Sequence, residues 1–287
     1  MARRLLVLLG LALGLVLVAP AAALACGGLV APGHAEVLRR ATTLAAWYGG
    51  YEHYVTGFQF AGNARSFGYI VPLPGVPSRI EKGGDWTLER LQLEVSPVAL
   101  GLAEAVVAPR AVEVVQRIRV GALDITVVRG GGPEVAAWAR RHGFDLTPDT
   151  DRVLGTYSSK GSVFALARFD ALEAARRGLV EGQGTVIHFT IPTPAPWIPL
   201  RILSLGKGGT EVVEADLFVL TPDRPSFAPE LDGLPGMSVL RSAPADRGLL
   251  RDLRSDRGMG WLPAEGMWLT AMRLQAPAAT VAYDLSI

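Results

Sequence analysis

The sequence predicts an α+β fold, a largely antiparallel β-sheet core with several short helices. Strand-like runs of β-branched and aromatic residues are joined in some places by tight turns and in others by helical segments. The chain is 49% hydrophobic, with 33 Gly and 20 Pro scattered along its 287 residues, the composition of a folded, turn-rich globule and not of a disordered tail.

The first element is an address. Arg3 and Arg4 precede an apolar stretch from Leu5 to Val18, and Ala23-Leu24-Ala25 stands immediately before Cys26, the single cysteine. A charged start, a short apolar segment and small residues at the processing positions make an export signal. Residues 1–25 are therefore expected to be removed, leaving 26–287 as one exported α+β domain with a looser part over 222–287. Unless the uncleaved segment is retained as a single anchor, Cys26 has two readings. As a lipidation site it would become the acylated first residue, although Ala23 and Leu24 invert the preferred aliphatic-then-small order; as an ordinary first residue it follows a good Ala-x-Ala site. With one cysteine there is no intrachain disulfide, so packing must supply the stability.

Glu36 to Trp47 fits a helix through Val37, Leu38, Ala41, Leu44 and Ala45, and a strand through its threonines and aromatics. Tyr51 to Phe60 and Phe67 to Val71 read as strands forming a hairpin through Gly62-Asn63, after which Pro72, Pro74 and Pro77 carry the chain off the sheet. Asp85 is placed to cap a helix through Leu93. Val112 to Val120 and Asp124 to Val128 predict a second hairpin around Gly121-Ala122.

Pro133 at a first helical position, apolar residues at Val135, Trp138 and Ala139, and Gly143 at the end specify a helix. Short helices are expected from Thr147-Pro148 to about Tyr157 and over Ala171 to Arg177, with a strand at Val163 to Arg168. Thr185 to Ile191, Leu200 to Leu205 and the very apolar Val212 to Leu220 read as further strands, the last one central. One helix near Arg247 to Asp256 and strands at Met267 to Leu274 and Thr280 to Leu285 complete the chain.

Composition excludes some functions. Of 28 basic residues Arg3 and Arg4 leave with the leader, so 26 remain against 27 acidic ones, a net charge of −1. A nucleic-acid binder needs a basic excess, so that class drops out. No later stretch reaches the roughly 18 apolar residues of a membrane span, so membrane contact is expected only through the N-terminus.

Motifs that promise chemistry fail on context. Ser204-Leu205-Gly206-Lys207 has the Ser-x-x-Lys spacing of penicillin-recognising enzymes but lies on a strand running into a Gly-rich turn, and Asn63, the sole asparagine, cannot supply their Ser-x-Asn partner. Gly236-Met237-Ser238 starts like a nucleophile elbow, with Leu240 where glycine is required. Arg201 occupies the first glycine of a phosphate loop that would end at Lys207. His34, His53, His142 and His188 lack the spacing of a metal pair, and Asp149-Thr150-Asp151 lacks the rest of a calcium loop, so neither metal nor cofactor is expected. Arg247, Arg251 and Arg254 interleave with Asp246, Asp252 and Asp256 as a self-paired helix face. The most unusual stretch is Ile191 to Pro199, stiff and extended, with Trp197 able to stack on a sugar ring or a proline.

The leader running into Cys26-Gly27-Gly28, the segment Phe67-Gly68-Tyr69-Ile70-Val71-Pro72-Leu73-Pro74, Trp138 through His142-Gly143-Phe144, Tyr157 with Phe164, and Pro199-Leu200-Arg201-Ile202 together resemble the bacterial family called domain of unknown function 2330, over most of Cys26 to about Leu220. The resemblance implies an exported or membrane-associated bacterial protein and supplies no catalytic residues. The expectation is an exported cell-envelope protein, a non-enzymatic binding or structural module whose unidentified envelope ligand or protein partner meets Trp197, Pro196 and Pro74. The rival is an envelope hydrolase whose site is assembled only in the fold, with His53 and Glu52 its first candidates.

Overall fold

The computed structural model describes residues 28–30, 36–62, 66–84, 86–95, 116–157, 162–170, 176 and 185–287. The leader, Cys26, His34, Asn63, Asp85 and all but one residue of the Ala171 to Arg177 segment lie outside them.

Two sheets form the centre. One has seven strands in the spatial order β12 (Met237–Pro244), β13 (Trp268–Pro277), β11 (Val212–Thr221), β2 (Glu36–Tyr48), β3 (Tyr51–Gly62), β9 (Ile187–Pro192) and β5 (Arg79–Lys82). The other has five: β1 (Gly28–Val30), β4 (Ser66–Leu73), β8 (Val163–Asp170), β7 (Leu123–Arg129) and β6 (Gln116–Val120). A two-residue ribbon pairs β10 (Trp197–Ile198) with β14 (Leu285–Ser286). Among the described ladders only β11 with β2 is parallel.

Side-chain parity fixes the layers. In β2, Ala41 and Ala45 enter one apolar cluster and Leu44 and Ala46 another; in β11, Leu217 and Val219 separate from Phe218 and Leu220 in the same way. The first cluster also holds Tyr69, Val71, Ile125 and Ala165 of the five-stranded sheet, so the two sheets face each other across it. The opposite face of the seven-stranded sheet is covered by α1 (Thr87–Leu93) and α4 (Arg247–Ser255) through Leu88, Leu91, Leu249, Leu250 and Leu253. The outer face of the five-stranded sheet, with Ile70, Phe164 and Leu166, is covered by α2 (Gly132–Arg141), α3 (Thr150–Gly155) and a 3-10 turn, Arg201–Ser204. The order is helix, sheet, sheet, helix.

The sequence therefore predicts the class, the β6–β7 hairpin with Gly121 at φ +60°, and α2 ending at Gly143 with φ +78°. Glu36 to Trp47 resolves as strand, and the turn into β3 is Gly49-Gly50, both at positive φ as a two-residue hairpin demands. Five expectations are corrected. The strands expected to pair through Gly62-Asn63 lie in different sheets, because β2 and β9 already occupy both edges of β3. Pro72 stays in the ladder opposite Phe164; the pairing of β1 with β4 stops at Ile70, so the missing N–H of Pro72 deprives no partner on that side. Leu200 to Leu205 is a 3-10 turn, since Asp284 takes the Leu200 and Arg201 N–H groups that a ladder would need. Of Thr280 to Leu285, only the end is strand, and β12 runs through residues expected to be loose.

Two long-range carboxylates tie the layers. Asp256 accepts from Trp86 N, Thr87 N and Thr87 Oγ1 at 3.2, 2.8 and 2.6 Å, capping α1 from a residue far along the chain. Asp284, almost fully buried, accepts Leu200 N, Arg201 N and Tyr157 Oη at 2.8, 3.0 and 3.1 Å and pairs with the Arg201 guanidinium.

Candidate functional site

Strand parity separates the two residues of the hydrolase reading. Glu52 shares the face of Tyr54 and lies between the sheets, fully buried, where both carboxylate oxygens lie 3.3 Å from Trp197 N. Burial pushes its pKa well above the ordinary carboxylate value, a shift the Trp197 N–H partly opposes. His53 points the other way, onto the helical face, so the pair cannot act on one substrate.

His53 instead meets His188 of β9. His53 Nδ1 lies 2.9 Å from His188 Nε2, and the Trp261 ring stacks on His53 with centroids 3.4 Å apart and planes 8° from parallel. His188 Nδ1 is 3.7 Å from Glu81 Oε1, too far for a hydrogen bond, and Glu81 is held by Arg79 at 2.8 Å. Among the described residues neither His188 Nδ1 nor Trp261 Nε1 has a hydrogen-bond partner. A consistent assignment puts protons on Nδ1 of both rings, so that His53 donates and the proton of His188 faces Glu81. Burial first, then a neighbour that would repel the added charge, lowers both rings: His53 to about 3 with His188 beside it, His188 to about 4 with the Arg79 cation beside it. His53 is 8% and His188 1% exposed, so two neutral imidazoles are sealed under an indole.

The proline-rich segment lies at the opposite end of β9. Its start touches the loop of Pro74, where Pro192 O is 3.3 Å from the place a Cβ on Gly75 would take. Pro196 is buried, while Trp197 and Pro74 are partly exposed. Trp197 pairs with Ser286 and meets Tyr157 edge-on at 6.1 Å, and Arg201 lies 4.9 Å over the same tyrosine ring.

Beyond Arg201 opens a cavity of about 380 Å³. Its cationic lining is Arg152, Arg201 and Lys207; Val153, Ala278, Val281 and Ala282 supply its apolar part. These come from α3, from the Arg201–Ser204 turn and the loop after it, and from the chain around the 3-10 turn Ala278–Thr280. Ser204 and Lys207, the pair whose spacing imitates the penicillin-recognising tetrad, both line it. Ser204 Oγ, however, donates to Arg201 O at 2.8 Å and Lys207 Nζ to Val212 O at 3.2 Å. No local signal announces this cavity in the sequence: its cations sit at 152, 201 and 207, brought together only by tertiary packing.

The remaining candidates have ordinary places. His142 Nδ1 lies 2.8 Å from Trp138 O and its ring stacks on Trp138 at 3.9 Å, at the C-terminal end of α2, where a polar ring meets free carbonyls. Asp149 accepts Gly206 N, and Asp151 pairs with Arg140 at 2.5 Å. Arg247 pairs with Glu265, while Arg254 donates to Leu262 O, so the arginines of α4 are tied more to the loop after the helix than to its own aspartates. Among the described residues no group of three or more His, Cys, Asp or Glu is placed to hold a metal.

Fold and cavity together define a four-layer α+β sandwich with a cationic hollow in its helical cover. The chain belongs to the bacterial family DUF2330, described as an uncharacterized protein conserved in bacteria, which matches residues 20–233. No curated protein matches it. Among solved structures, the crystal structure of baculovirus P35 superposes with a TM-score of 0.50 at 8% sequence identity, over 90% of this chain and 98% of that one. At that identity the likeness concerns the fold alone.

Proposed function

We infer that this is an exported, non-enzymatic binding module of the bacterial cell envelope, whose ligand is taken up on the side of the molecule holding Trp197, Arg201 and the cavity beyond them. The observation that carries the reading is the cavity itself: about 380 Å³, with polar groups converging from three chain segments over an apolar wall. Trp197 neighbours Arg201 through the Tyr157 ring that both touch, and Pro74 and Pro196 belong to the stiff proline-rich region beside it. The leader Arg3 to Ala25 supports export, with Cys26 the site of lipidation if the mature protein is anchored.

Two measurements test this. A tagged chain is expressed in a bacterial host, the cells are fractionated, and the mature N-terminus is read by mass spectrometry. A mature start at Cys26 in an extracytoplasmic fraction supports the reading; an intact leader on a cytosolic protein removes it. Trp197→Ala should weaken envelope association with folding intact, and unchanged association would take Trp197 out of the surface.

A further inference from the structure

We propose that the cavity between α3, the Arg201–Ser204 turn and the Ala278–Thr280 turn binds a small organic anion, a single carboxylate or phosphate group on a short aliphatic body. This rests on the reading of the chain as a binding module and names the class of its ligand.

Charge placement carries the inference. Among the described residues the lining includes Arg152, Arg201 and Lys207 but neither Asp nor Glu. The acids that offset these cations stand outside the lining. Asp284 engages Arg201 Nε at 2.8 Å, Asp149 lies 3.6 Å from Arg152, and Glu211 is occupied by Gly208 N at 2.7 Å. A guanidinium presents five donors and an ammonium three. Of these, Lys207 spends one on Val212 O at 3.2 Å, and Arg201 spends its Nε and Nη2 on Asp284. Burial lowers the pKa of Lys207, against the pull of Glu211 and Glu214, as expected of a cation whose lost hydration is incompletely replaced. An anion in the cavity supplies that replacement.

The apolar half limits the rest of the ligand. Val153, Ala278, Val281 and Ala282 offer small, uncharged surface, and among the described residues no aromatic side chain lines the cavity. A short alkyl chain fits that wall. Arg152, 69% exposed, stands where it meets an arriving anion first.

The test is calorimetric titration of the full mature chain at low salt. One panel holds butyrate, propyl phosphate and inorganic phosphate, and the other holds butyramide and propanol. Carboxylate and phosphate arms separate the two anion types, and inorganic phosphate measures the headgroup without the chain. Butyrate or propyl phosphate should bind, inorganic phosphate more weakly, and the neutral compounds not at all. Lys207→Met should weaken anion binding about tenfold, the loss of one charge-assisted hydrogen bond. Arg152→Gln, at a largely exposed side chain that does not threaten folding, should do so by a smaller factor. If only the neutral compounds bind and Ala279→Trp abolishes that binding, the cavity remains the ligand site and the anionic class falls. Equal anion binding by wild type, Lys207→Met and Arg152→Gln overturns the site. Silence from both panels overturns the anionic class, while the binding reading stands or falls by the envelope-association measurement.

Discussion

The sealed histidine pair makes the protein acid-labile in a calculable way. Both rings are held neutral in the folded chain, His53 down to about 3 and His188 to about 4, whereas the unfolded chain protonates them near the ordinary 6.5. Folded pKa values below unfolded ones mean that the unfolded state binds more protons. The stabilising contribution is thus present above 6.5 and is lost as the pH falls from 6.5 toward about 4 for His188 and about 3 for His53. Each ring loses about 1.4 kcal/mol per pH unit in that window. At pH 5 this comes to roughly 2 kcal/mol per ring, or roughly 4 kcal/mol for the pair. A typical fold is stable by only about 5–15 kcal/mol, so the effect is large. The groups facing the pair are Arg79, which opposes protonation, and Glu81, which would accept a proton-bearing His188 only after closing its 3.7 Å gap. Urea unfolding at pH 7 and pH 5 measures the change; with a slope of about 3 kcal/mol per M, the midpoint should fall by about 1.3 M. Glu52 shifts stability the opposite way, so the comparison is with His53→Gln/His188→Gln, which should lose less than half as much. A proton NMR titration in which either ring titrates near 6.5 in the folded protein would refute the reasoning, as would equal midpoint losses in both proteins.

Other expectations follow from single contacts. Glu52→Gln imitates the protonated carboxyl; since a raised folded pKa makes the native carboxylate costlier as pH rises, the substitution should raise the urea midpoint more at pH 8 than at pH 5. Asp256→Ala removes the distant cap of α1 and should cost about 1–2 kcal/mol in urea unfolding, with faster amide exchange at Trp86 and Thr87. A Cβ on Gly132 would lie 1.7 Å from Leu154 O, whereas one on Gly155 meets nothing within 4 Å. Gly132→Ala should therefore abolish soluble expression or lower the melting temperature sharply. Gly155→Ala should leave the stability within about 0.5 kcal/mol of wild type or raise it.

Local chemistry was legible where it acts locally. Pro133 and Gly143 bracket α2 because the first turn of a helix has no use for the N–H that proline lacks, and glycine takes the positive φ of a left-handed cap without strain, whatever surrounds them. Gly121 marks the β6–β7 turn for the same reason. What escaped is set by distant partners. Leu200 to Leu205 has the composition of a strand but is drawn into a turn by Asp284, 84 residues from Leu200. The hairpin expected through Gly62-Asn63 fails because β9, far along the chain, takes the free edge of β3. The cavity is the extreme case: nothing near Arg152 or Lys207 foretells that they share a wall. Glu52 and His53 carry a different lesson, since adjacency in a strand guarantees opposite faces and so argues against a shared site.

The parallel pairing of β2 with β11 sets Ala41 beside Ala215 and Leu220 beside Ala46, joining segments roughly 170 residues apart at the middle of the larger sheet. As such a chain grows from its N-terminus, β2 and β3 can close through Gly49-Gly50 early, yet the far edge of β2 stays open until β11 arrives. During that interval the nascent hairpin shows an unpaired, strongly apolar border, the surface on which holdases act and to which other chains stick. Slow closure of this kind delays the cooperative locking of the larger sheet until the C-terminal half of the chain has arrived.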